Sequence, residues 1–572
     1  MSSSSLTLLQ KKRLASELAS ETIQVSLVAI VGFAVVAPMI LWGVPSALDL
    51  SNHFRFALPF YEALRSGHIY PGWLAESNHG FGDPSFRFYP PALYYLLSAA
   101  RAVSGNWYVA TVATFGTLSM IGALGMYLWA REFAESATAM WAGIFYAFAP
   151  YHVNQLYQAL LLAEFAGAAV LPFAFLFVER VCRYRRARDL GGLAAAYALL
   201  VLTHLPLTVL ASIALAFYAL LRIDRKHFWT TLGALTSSVV IGLAASACYW
   251  LTMIAEMSWI RVDSVNRELG VDYRDNFVLS SLSADDVNVW WMNILLLSML
   301  AMFWPAFALF GKTVSSRFGN ADIERPMTSG VNAIAFILLL SLFMATPLSR
   351  PIWNAVHSLQ QTQFPWRWFA ITSVAGPMLL ALCIPFWKRM AKTGMRSLVM
   401  IACGTIAISI AFSAGQIIRE ARWLTPAQFS ELLTSIPGSA SVNQWTPIWV
   451  HGKTGATAPV DAGDRRVTVD NWSAEIRKFH VDSGNATEAR VATFFYPHWT
   501  ASVEGKALAI RPDQSGALTI SLPRESADVT LEFREPARSR YAAGLTAIGW
   551  AFVAGLFVNP RRRFPKTIHL EN

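Results

Sequence analysis

The stretch that decides the fold runs from Asp49 to Pro91 and reads DLSNHFRFALPFYEALRSGHIYPGWLAESNHGFGDPSFRFYPP. It is too polar and too rich in proline to lie in lipid, and it directly follows an apolar run from Ile23 to Val44. The hydrophobic part of a signal peptide spans about 7–15 residues, so this longer run predicts an uncleaved membrane span. We therefore expect Asp49–Pro91 to form a loop at the membrane surface.

The composition is that of a membrane protein with many spans. Of the 572 residues, 55% are hydrophobic and 14% are charged, and the mean hydropathy is +0.40. Soluble domains carry about 25% charged residues. The formal net charge is +10, but the basic clusters fall between apolar runs, as the positive-inside rule predicts. A polytopic α-helical membrane protein follows, and no recognition motif for nucleic acid is present.

Apolar runs long enough to cross a bilayer predict about twelve spans with both termini in the cytoplasm. The basic clusters after residues 179, 222, 310, 387 and 558 all fall on the cytoplasmic side of this arrangement. The pair of arms between residues 190 and 222 is short, which favours tilted or partly inserted helices. The expected spans are 22–44, 107–130, 137–150, 162–179, the two arms of 190–222, 228–254, 289–310, 330–347, 368–387, 397–415 and 540–558.

A separate β domain is predicted near the C-terminus. Apolar residues alternate with period two in five short runs, from Val467 to Phe533, and turns at Glu504-Gly505-Lys506 and Gln514-Ser515-Gly516 separate them. The resulting organisation is a cytoplasmic leader, 1–21, a transmembrane domain, 22–415, whose first outer loop is 45–106, a periplasmic β-sandwich-like domain, 416–538, and a last helix with a basic cytoplasmic tail, 539–572.

Asp49 is the first candidate for a catalytic group. Ionised groups at the edge of the hydrocarbon are costly unless they are paired or functional. His53 lies four residues further on, so one helical turn places both side chains on one face. The pair could supply a general base with its orienting partner, or two ligands of a divalent metal. The structural alternative is that Asp49 caps a helix beginning at Leu50.

The end of the loop, GFGDPSFRFYPP, combines turn residues with Asp83, Arg87 and Tyr89. Arg87 could hold a phosphate through two parallel hydrogen bonds, and Tyr89 could stack on a sugar or prenyl group. The alternative is a structural plug in which Arg87 pairs with an aspartate. Both interpretations are open on the sequence.

Further candidates for substrate binding lie in later outer segments. His152, Tyr157 and Glu164 follow the third predicted span, and Glu164 should face a polar cavity and pair with Arg87 or a histidine because an unpaired carboxylate is costly there. His204 is a ligand or a turn cap. Arg367 begins a later span among aromatic residues, where it either holds a lipid-linked phosphate or extends its charge to the interface.

These motifs resemble the membrane proteins called 6-pyruvoyl-tetrahydropterin synthase-related, which are grouped with the GT-C glycosyltransferase superfamily. The resemblance is carried by DLSNH at 49–53, GHIYPGW at 67–73, 80–91, 157–164 and FPWR at 364–367. The segment FYPHW at 495–499 is similar to the outer β domain of related bacterial proteins, with His498 where a glycine is common. The resemblance implies a GT-C-like helical domain.

The same resemblance implies an inverting glycosyltransferase of the bacterial inner membrane. It would move a sugar from a polyprenyl-phosphate donor to a lipid-linked or envelope glycan acceptor on the outer face. Asp49 would be the general base, while Arg87 and Arg367 would neutralise the departing lipid phosphate. Leu50 follows Asp49 where the superfamily often has a second acid, so the sequence specifies no cofactor. Mg²⁺ or Mn²⁺ at Asp49 and His53 remains an alternative.

A second class of function is open: a glycolipid transporter or flippase, or a non-catalytic assembly scaffold whose β domain binds glycan. Transport would require broken helices and polar groups near the middle of the membrane. The predicted spans contain few charges at mid-length, which favours the enzyme.

Overall fold

A computed structural model describes residues 8–261, 271–283, 286–316, 325–392, 394–436, 445–451 and 458–558. The first seven residues of the predicted leader, Arg317, part of the 255–288 loop and the basic tail at 561–563 lie outside the described residues. The helices α1 to α20, in chain order, are Leu8–Ala34, Ala37–Trp42, Leu48–Arg65, Ala92–Ser104, Trp107–Ala130, Ser136–Ala147, Pro150–Tyr157, Leu162–Tyr184, Ala187–Thr203, Leu205–Arg222, Phe228–Ala245, Ala247–Glu256, Val287–Ser316, Arg325–Met344, Arg350–Ala355, His357–Gln360, Phe369–Lys392, Arg396–Glu420, Pro426–Ser435 and Ala537–Val558.

The chain is a polytopic helical membrane protein, as predicted, although fewer helices than expected are long enough to span. In the described residues eight helices are long and apolar enough to cross a membrane, or nine if a pair bent by 89° at residues 344–347 is one span. The expected number was about twelve. The run 137–150 forms only the 12-residue helix α6, and the first arm of 190–222, α9, has 17 residues. The apolar part of α1 and α2 is likewise divided, at residues 35–36.

The predicted β region is present as two antiparallel sheets. The strands β1 to β11 are Val44–Pro45, Trp423–Leu424, Val460–Asp461, Val467–Trp472, Ile476–Val481, Glu488–Phe494, Trp499–Val503, Lys506–Leu508, Ile510–Pro512, Ala517–Ser521 and Ala527–Phe533. One sheet has the order β4-β5-β11-β7-β8 and the other β3-β6-β10-β9. Alternate residues of β11 are buried, and one apolar core contains side chains from both sheets. We call residues 460–533 the β region.

A two-stranded pair, β1 with β2, precedes the first loop. Val44 lies opposite Leu424 and Pro45 opposite Trp423, so the start of the loop is joined to the chain that leaves α18. Gly43 makes this approach possible. Its φ is +124°, and a Cβ there would lie 2.1 Å from the carbonyl oxygen of Leu424. The pair fixes where α3 begins.

The loop itself contributes side chains to the core of the β region. Trp73 is buried, and its ring lies 5.3 Å from Phe533 and 5.7 Å from Trp499 between centroids. Phe81 packs on Phe494, whose N–H donates to the Phe81 carbonyl oxygen at 2.7 Å. Aromatic pairs of this kind add to the stabilisation from area burial. The first loop and the β region are thus one packing unit.

A buried set of charged and polar side chains completes this attachment; we call it the docking cluster. Arg87, only 1% exposed, forms ion pairs with Glu256 at the end of α12 and with Glu535 after β11. Its Nη2 donates to Glu256 Oε1 at 2.8 Å, and its Nη1 donates to Glu535 Oε1 at 2.6 Å. Three more residues donate to or contact Glu256: Tyr496 Oη at 2.7 Å, His498 Nε2 at 2.9 Å and Arg538 Nη2 at 2.7 Å.

The docking cluster holds Glu256 in its ionised form. Burial alone would raise the pKa of this carboxyl group, but the hydrogen bonds from Arg87, His498 and Tyr496 lower it below the usual 4.5. Burial would likewise lower the pKa of Arg87, and the bonds to the two glutamates raise it instead. A charge pair removed from water is stable only with such complete partners.

The β1–β2 pair predicts a steric test. Replacing Gly43 with alanine should destabilise the protein by about 1–3 kcal/mol, because the new Cβ meets the Leu424 carbonyl and the backbone is left-handed. Gly67→Ala is the matched control, since Gly67 has φ +92° but no atom within 4 Å of the added Cβ. Thermal unfolding in detergent should show the larger loss for Gly43→Ala. Equal losses would mean that the close contact with Leu424 is unimportant.

The docking cluster predicts an acid-sensitive stability. Glu256→Gln should cost about 3–5 kcal/mol of unfolding free energy at pH 7, because it removes the charge that neutralises buried Arg87. Since the folded pKa of Glu256 lies below its unfolded value, its contribution is complete above 4.5 and is lost as pH falls below it. Unfolding should therefore depend less on pH between 5 and about 3 in Glu256→Gln.

Glu488→Gln is the control for this experiment, because its ion pair with Arg511 is exposed on both sides. Such a pair contributes about 0–1 kcal/mol. An equal effect of the two substitutions would contradict a specific role for the docking cluster.

Candidate functional site

Asp49 lies in the first turn of α3, immediately after the β1–β2 pair. The N-cap residue is Ala47, which makes no side-chain cap. The alternative in which Asp49 caps a helix beginning at Leu50 is therefore wrong. The carboxylate is partly exposed, and its Oδ1 accepts a hydrogen bond from Asn52 Nδ2 at 3.3 Å. Asp49 is therefore held but not enclosed, as a group that meets a substrate must be.

His53 lies on the same face of α3, one turn further on, and is buried. Its Nδ1 is 3.0 Å from Tyr94 Oη. No hydrogen bond joins His53 to Asp49 among the described contacts. Burial lowers the pKa of His53, and the charge of Asp49 opposes this shift. Asp49 and His53 are neighbours, while the direct partner of His53 is Tyr94, a residue that the sequence analysis did not select.

Tyr89 connects Asp49 with a second pair of charges. Burial has the largest effect on the pKa of the Tyr89 hydroxyl and raises it. The charges of Asp49 and Glu164 raise this pKa further, and the charge of Arg367 lowers it. The charges of these three groups thus act on one phenol. Tyr89 also packs on Phe56 of α3, with ring centroids 5.0 Å apart.

Glu164 and Arg367 form a buried ion pair. Arg367 Nε lies 3.0 Å from Glu164 Oε2, and the two side chains are 7% and 1% exposed. Glu164 Oε1 accepts from Tyr151 Oη at 2.7 Å and from Gln155 Nε2 at 2.9 Å. The partner of Glu164 is thus Arg367, not Arg87 or a histidine as the sequence suggested. Arg367 Nη1 donates to the Thr362 carbonyl at 2.6 Å, and its Nη2 has no partner among the described residues.

The three remaining candidate residues at this end of the helical bundle make contacts that stabilise the fold. His204 Nδ1 accepts from Leu207 N at 3.2 Å, so His204 caps α10. His152 lies between the rings of Tyr146 and Phe165, and burial lowers its pKa to about 4. Tyr157 Oη donates to the Val35 carbonyl at 2.6 Å. His204 lies beside α8 about one turn from Glu164, since a Cβ added at Gly167 would be 3.5 Å from the His204 Cβ. Burial lowers the pKa of His204, and the charges of Arg367 and His53 lower it further.

Two predicted residues belong elsewhere. Asp83 Oδ1 accepts from Ser85 N at 2.7 Å and from Ser85 Oγ at 2.5 Å, which stabilises the turn before Arg87. Arg87 belongs to the docking cluster, where its guanidinium is bonded to two carboxylates. Its partners are glutamates rather than the aspartate that the structural alternative named. We call the group that remains together the Asp49 cluster; it consists of Asp49, His53, Tyr89, Tyr94, Glu164 and Arg367.

The Asp49 cluster does not complete a metal site. Nowhere in the described part of the chain do three His, Cys, Asp or Glu side chains converge as metal ligands. Asp49 and His53 alone would supply two ligands, and Glu164 is engaged by Arg367. Hard divalent cations are usually held by more carboxylate oxygens than this. We therefore derive no step through Mg²⁺ or Mn²⁺.

Sequence reasoning missed Glu256 and the two residues that lie beside it, His498 and Arg538. Glu256 directly follows a hydrophobic run, where an unpaired carboxylate is energetically costly. The reasoning that selected Glu164 therefore applies equally to Glu256. Glu535 could not have been found, because only the fold brings it to Arg87 across 448 positions.

Three comparisons bear on identity. A family model described as "6-pyruvoyl-tetrahydropterin synthase related domain; membrane protein" matches residues 86–417. No curated protein matches. Among solved structures, the apo oligosaccharyltransferase of Archaeoglobus fulgidus is similar with a TM-score of 0.39 and 12% identity, over 72% of this chain and 56% of that one. The chain thus spans little more than half the length of that structure.

The family match covers more than half of the sequence and confirms the family that the sequence resembles. The chain belongs to the 6-pyruvoyl-tetrahydropterin synthase-related family of membrane proteins.

Proposed function

We propose that the protein is a membrane glycosyltransferase of GT-C type. It transfers a sugar from a polyprenyl-phosphate donor to a lipid-linked or envelope glycan acceptor at the outer face of the bacterial inner membrane. The observation that carries the proposal is the partly exposed carboxylate of Asp49 in the first turn of α3, together with the buried Glu164–Arg367 ion pair, whose charges act on the same tyrosine, Tyr89, as Asp49 does. The resemblance of the loop motifs to GT-C enzymes supports it.

Asp49 is the proposed general base. It accepts the proton of an acceptor hydroxyl while that oxygen attacks the anomeric carbon, and the bond from this carbon to the lipid phosphate breaks. The configuration of the sugar inverts because attack and departure occur on opposite faces. His53 and Tyr94 keep the neighbouring wall neutral, so the charge of Asp49 is the local negative charge. General-base catalysis typically contributes about 10²–10⁴-fold.

Arg367 is the proposed partner of the departing phosphate. Its Nη1 donates to the Thr362 carbonyl and its Nε lies 3.0 Å from Glu164 Oε2, while Nη2 makes no hydrogen bond to a described residue. An arginine whose orientation is fixed before substrate binds loses little entropy when it stabilises a developing charge. Arg87 is left out of this role because its charge is already balanced by Glu256 and Glu535.

We infer the orientation in the membrane from the same elements. Helix α10 begins at His204, next to the Asp49 cluster, and ends at Arg222, which pairs with Glu179 in a basic region with Arg183. The positive-inside rule assigns that second end to the cytoplasm. The Asp49 cluster and the β region then face the periplasm.

Asp49→Asn should lower sugar transfer by about 10²–10⁴-fold while expression and unfolding temperature stay unchanged. The measurement is incorporation of radiolabelled sugar from polyprenyl-phosphate donors in membranes that contain the variant. Asp224→Asn is the control, because Asp224 is exposed and lies beyond the far end of α10. Full transfer by Asp49→Asn would refute the assignment of the base and favour the transporter or scaffold.

A pair of substitutions separates structure from function at Arg367. Arg367→Gln leaves Glu164 charged and buried, so we expect a loss of about 3–5 kcal/mol in stability together with a loss of transfer. The double variant Glu164→Gln/Arg367→Gln should regain most of the stability, because no buried charge is left unpaired. Transfer should remain low. Recovery of transfer in the double variant would show that Arg367 serves only to balance Glu164.

A further inference from the structure

A cleft of about 410 Å³ lies on the other side of α3 from His53. Its walls are α3, the turn between α4 and α5, and the amphipathic helix α19, whose Phe429 packs on Phe54 with centroids 5.2 Å apart. The volume falls within the range of small-molecule sites, about 300–1,000 Å³. The residues that matter below are Arg55, Glu62, Glu76, Arg101, Asn106 and Trp107.

Two arginines in this cleft have buried donors without a partner. The Nε atoms of Arg55 and Arg101 are both buried, and neither makes a hydrogen bond to any described residue. Arg55 is oriented by Asn52, whose Oδ1 accepts from its Nη1 at 3.2 Å. Arg101 lies over the rings of Tyr61 and Trp107, at 5.6 and 5.7 Å from the centroids. Buried polar atoms usually have partners, so a ligand oxygen is the natural acceptor here.

The charges of the lining distinguish between ligand classes. The cleft is lined by two arginines, Arg55 and Arg101, and two glutamates, Glu62 and Glu76, so its lining is formally neutral; Glu62 also pairs with Arg65 outside the cleft at 3.2 Å. A phosphate or an anionic headgroup would favour a positive excess. The guanidinium groups donate hydrogen bonds and the carboxylates accept them, which matches the paired hydroxyls of a sugar ring. The aromatic ring of Trp107 matches the apolar face of the sugar.

We propose that the cleft between α3, the α4–α5 turn and α19 binds a neutral saccharide. Asn52 connects it to the candidate base, because the same side chain donates to Asp49 and accepts from Arg55. A saccharide bound to Arg55 is therefore connected to Asp49 through the two hydrogen bonds of Asn52, from the opposite side of α3. Its assignment as the acceptor glycan rests on the proposed function, whereas binding itself does not.

The test uses the full-length protein in lipid nanodiscs, fluorescently labelled, on an array of neutral and acidic oligosaccharides. The informative variants are Arg101→Gln and Glu76→Gln; Glu76 is an exposed residue of the cleft lining, so its substitution does not endanger folding. Arg511→Gln is the matched control, an exposed arginine that also pairs with a glutamate. Neutral saccharides should bind, and each cleft variant should weaken binding by about tenfold or more, with the control unchanged.

The proposal is overturned if no saccharide binds, if only acidic ones bind, if both cleft variants bind normally, or if glycerol 3-phosphate, a soluble phospholipid headgroup, displaces the ligand. Asp49→Asn separates this outcome from the failure of the proposed function. It should lose transfer and keep saccharide binding. Normal transfer by Asp49→Asn with loss of binding in the cleft variants would refute the base and leave the saccharide site standing.

Discussion

The buried ion pair between Arg87 and Glu256 is the interaction on which the arrangement depends. It joins three distant parts of the chain: the end of the first loop, the end of α12 and, through Glu535, the exit from the β region. Because the charges of Arg87 and Glu256 are out of water, each is stable only while the other is in place. The pair therefore makes docking of the β region cooperative with the conformation of the loop. Neither side chain of the Arg87–Glu256 pair is proposed to take part in catalysis.

The two halves of the first loop consequently have different roles. From Trp73 to Arg87 it is a structural element that fills the core of the β region and carries the docking cluster. Its beginning, α3, holds Asp49 and His53 at the end of the helical bundle, where Glu164 and Arg367 arrive from two other helical segments. Fixing the loop at its far end fixes the path of the chain on both sides of α3. This is how a rigid β region can position a site to which it contributes no residue.

Much of the fold was predictable from pattern. Period-two alternation located β4, β6 and β8 to β11, and alternate residues of β6 and β11 are buried. It missed β5 and β7, where Arg477 and the turn beside His498 break the alternation. The sequence predicted that Glu164 pairs with Arg87 or a histidine, and the structure pairs it with Arg367 instead. Arg87 is bonded to two glutamates that lie far from it in the sequence, so it does not pair with Glu164. Contacts between residues so distant in sequence cannot be predicted from a local sequence pattern.

The most direct measurement is a mass-spectrometric comparison of polyprenyl-phosphate-linked sugars in cells with and without this protein. If the protein transfers a sugar from such a donor, its loss should cause one lipid-linked sugar to accumulate and one envelope glycan to lose that sugar. Wild-type protein should restore both levels, and protein with an altered Asp49 should restore neither. Unchanged lipid-linked sugars in the absence of the protein, or full restoration without the Asp49 carboxylate, would contradict the account.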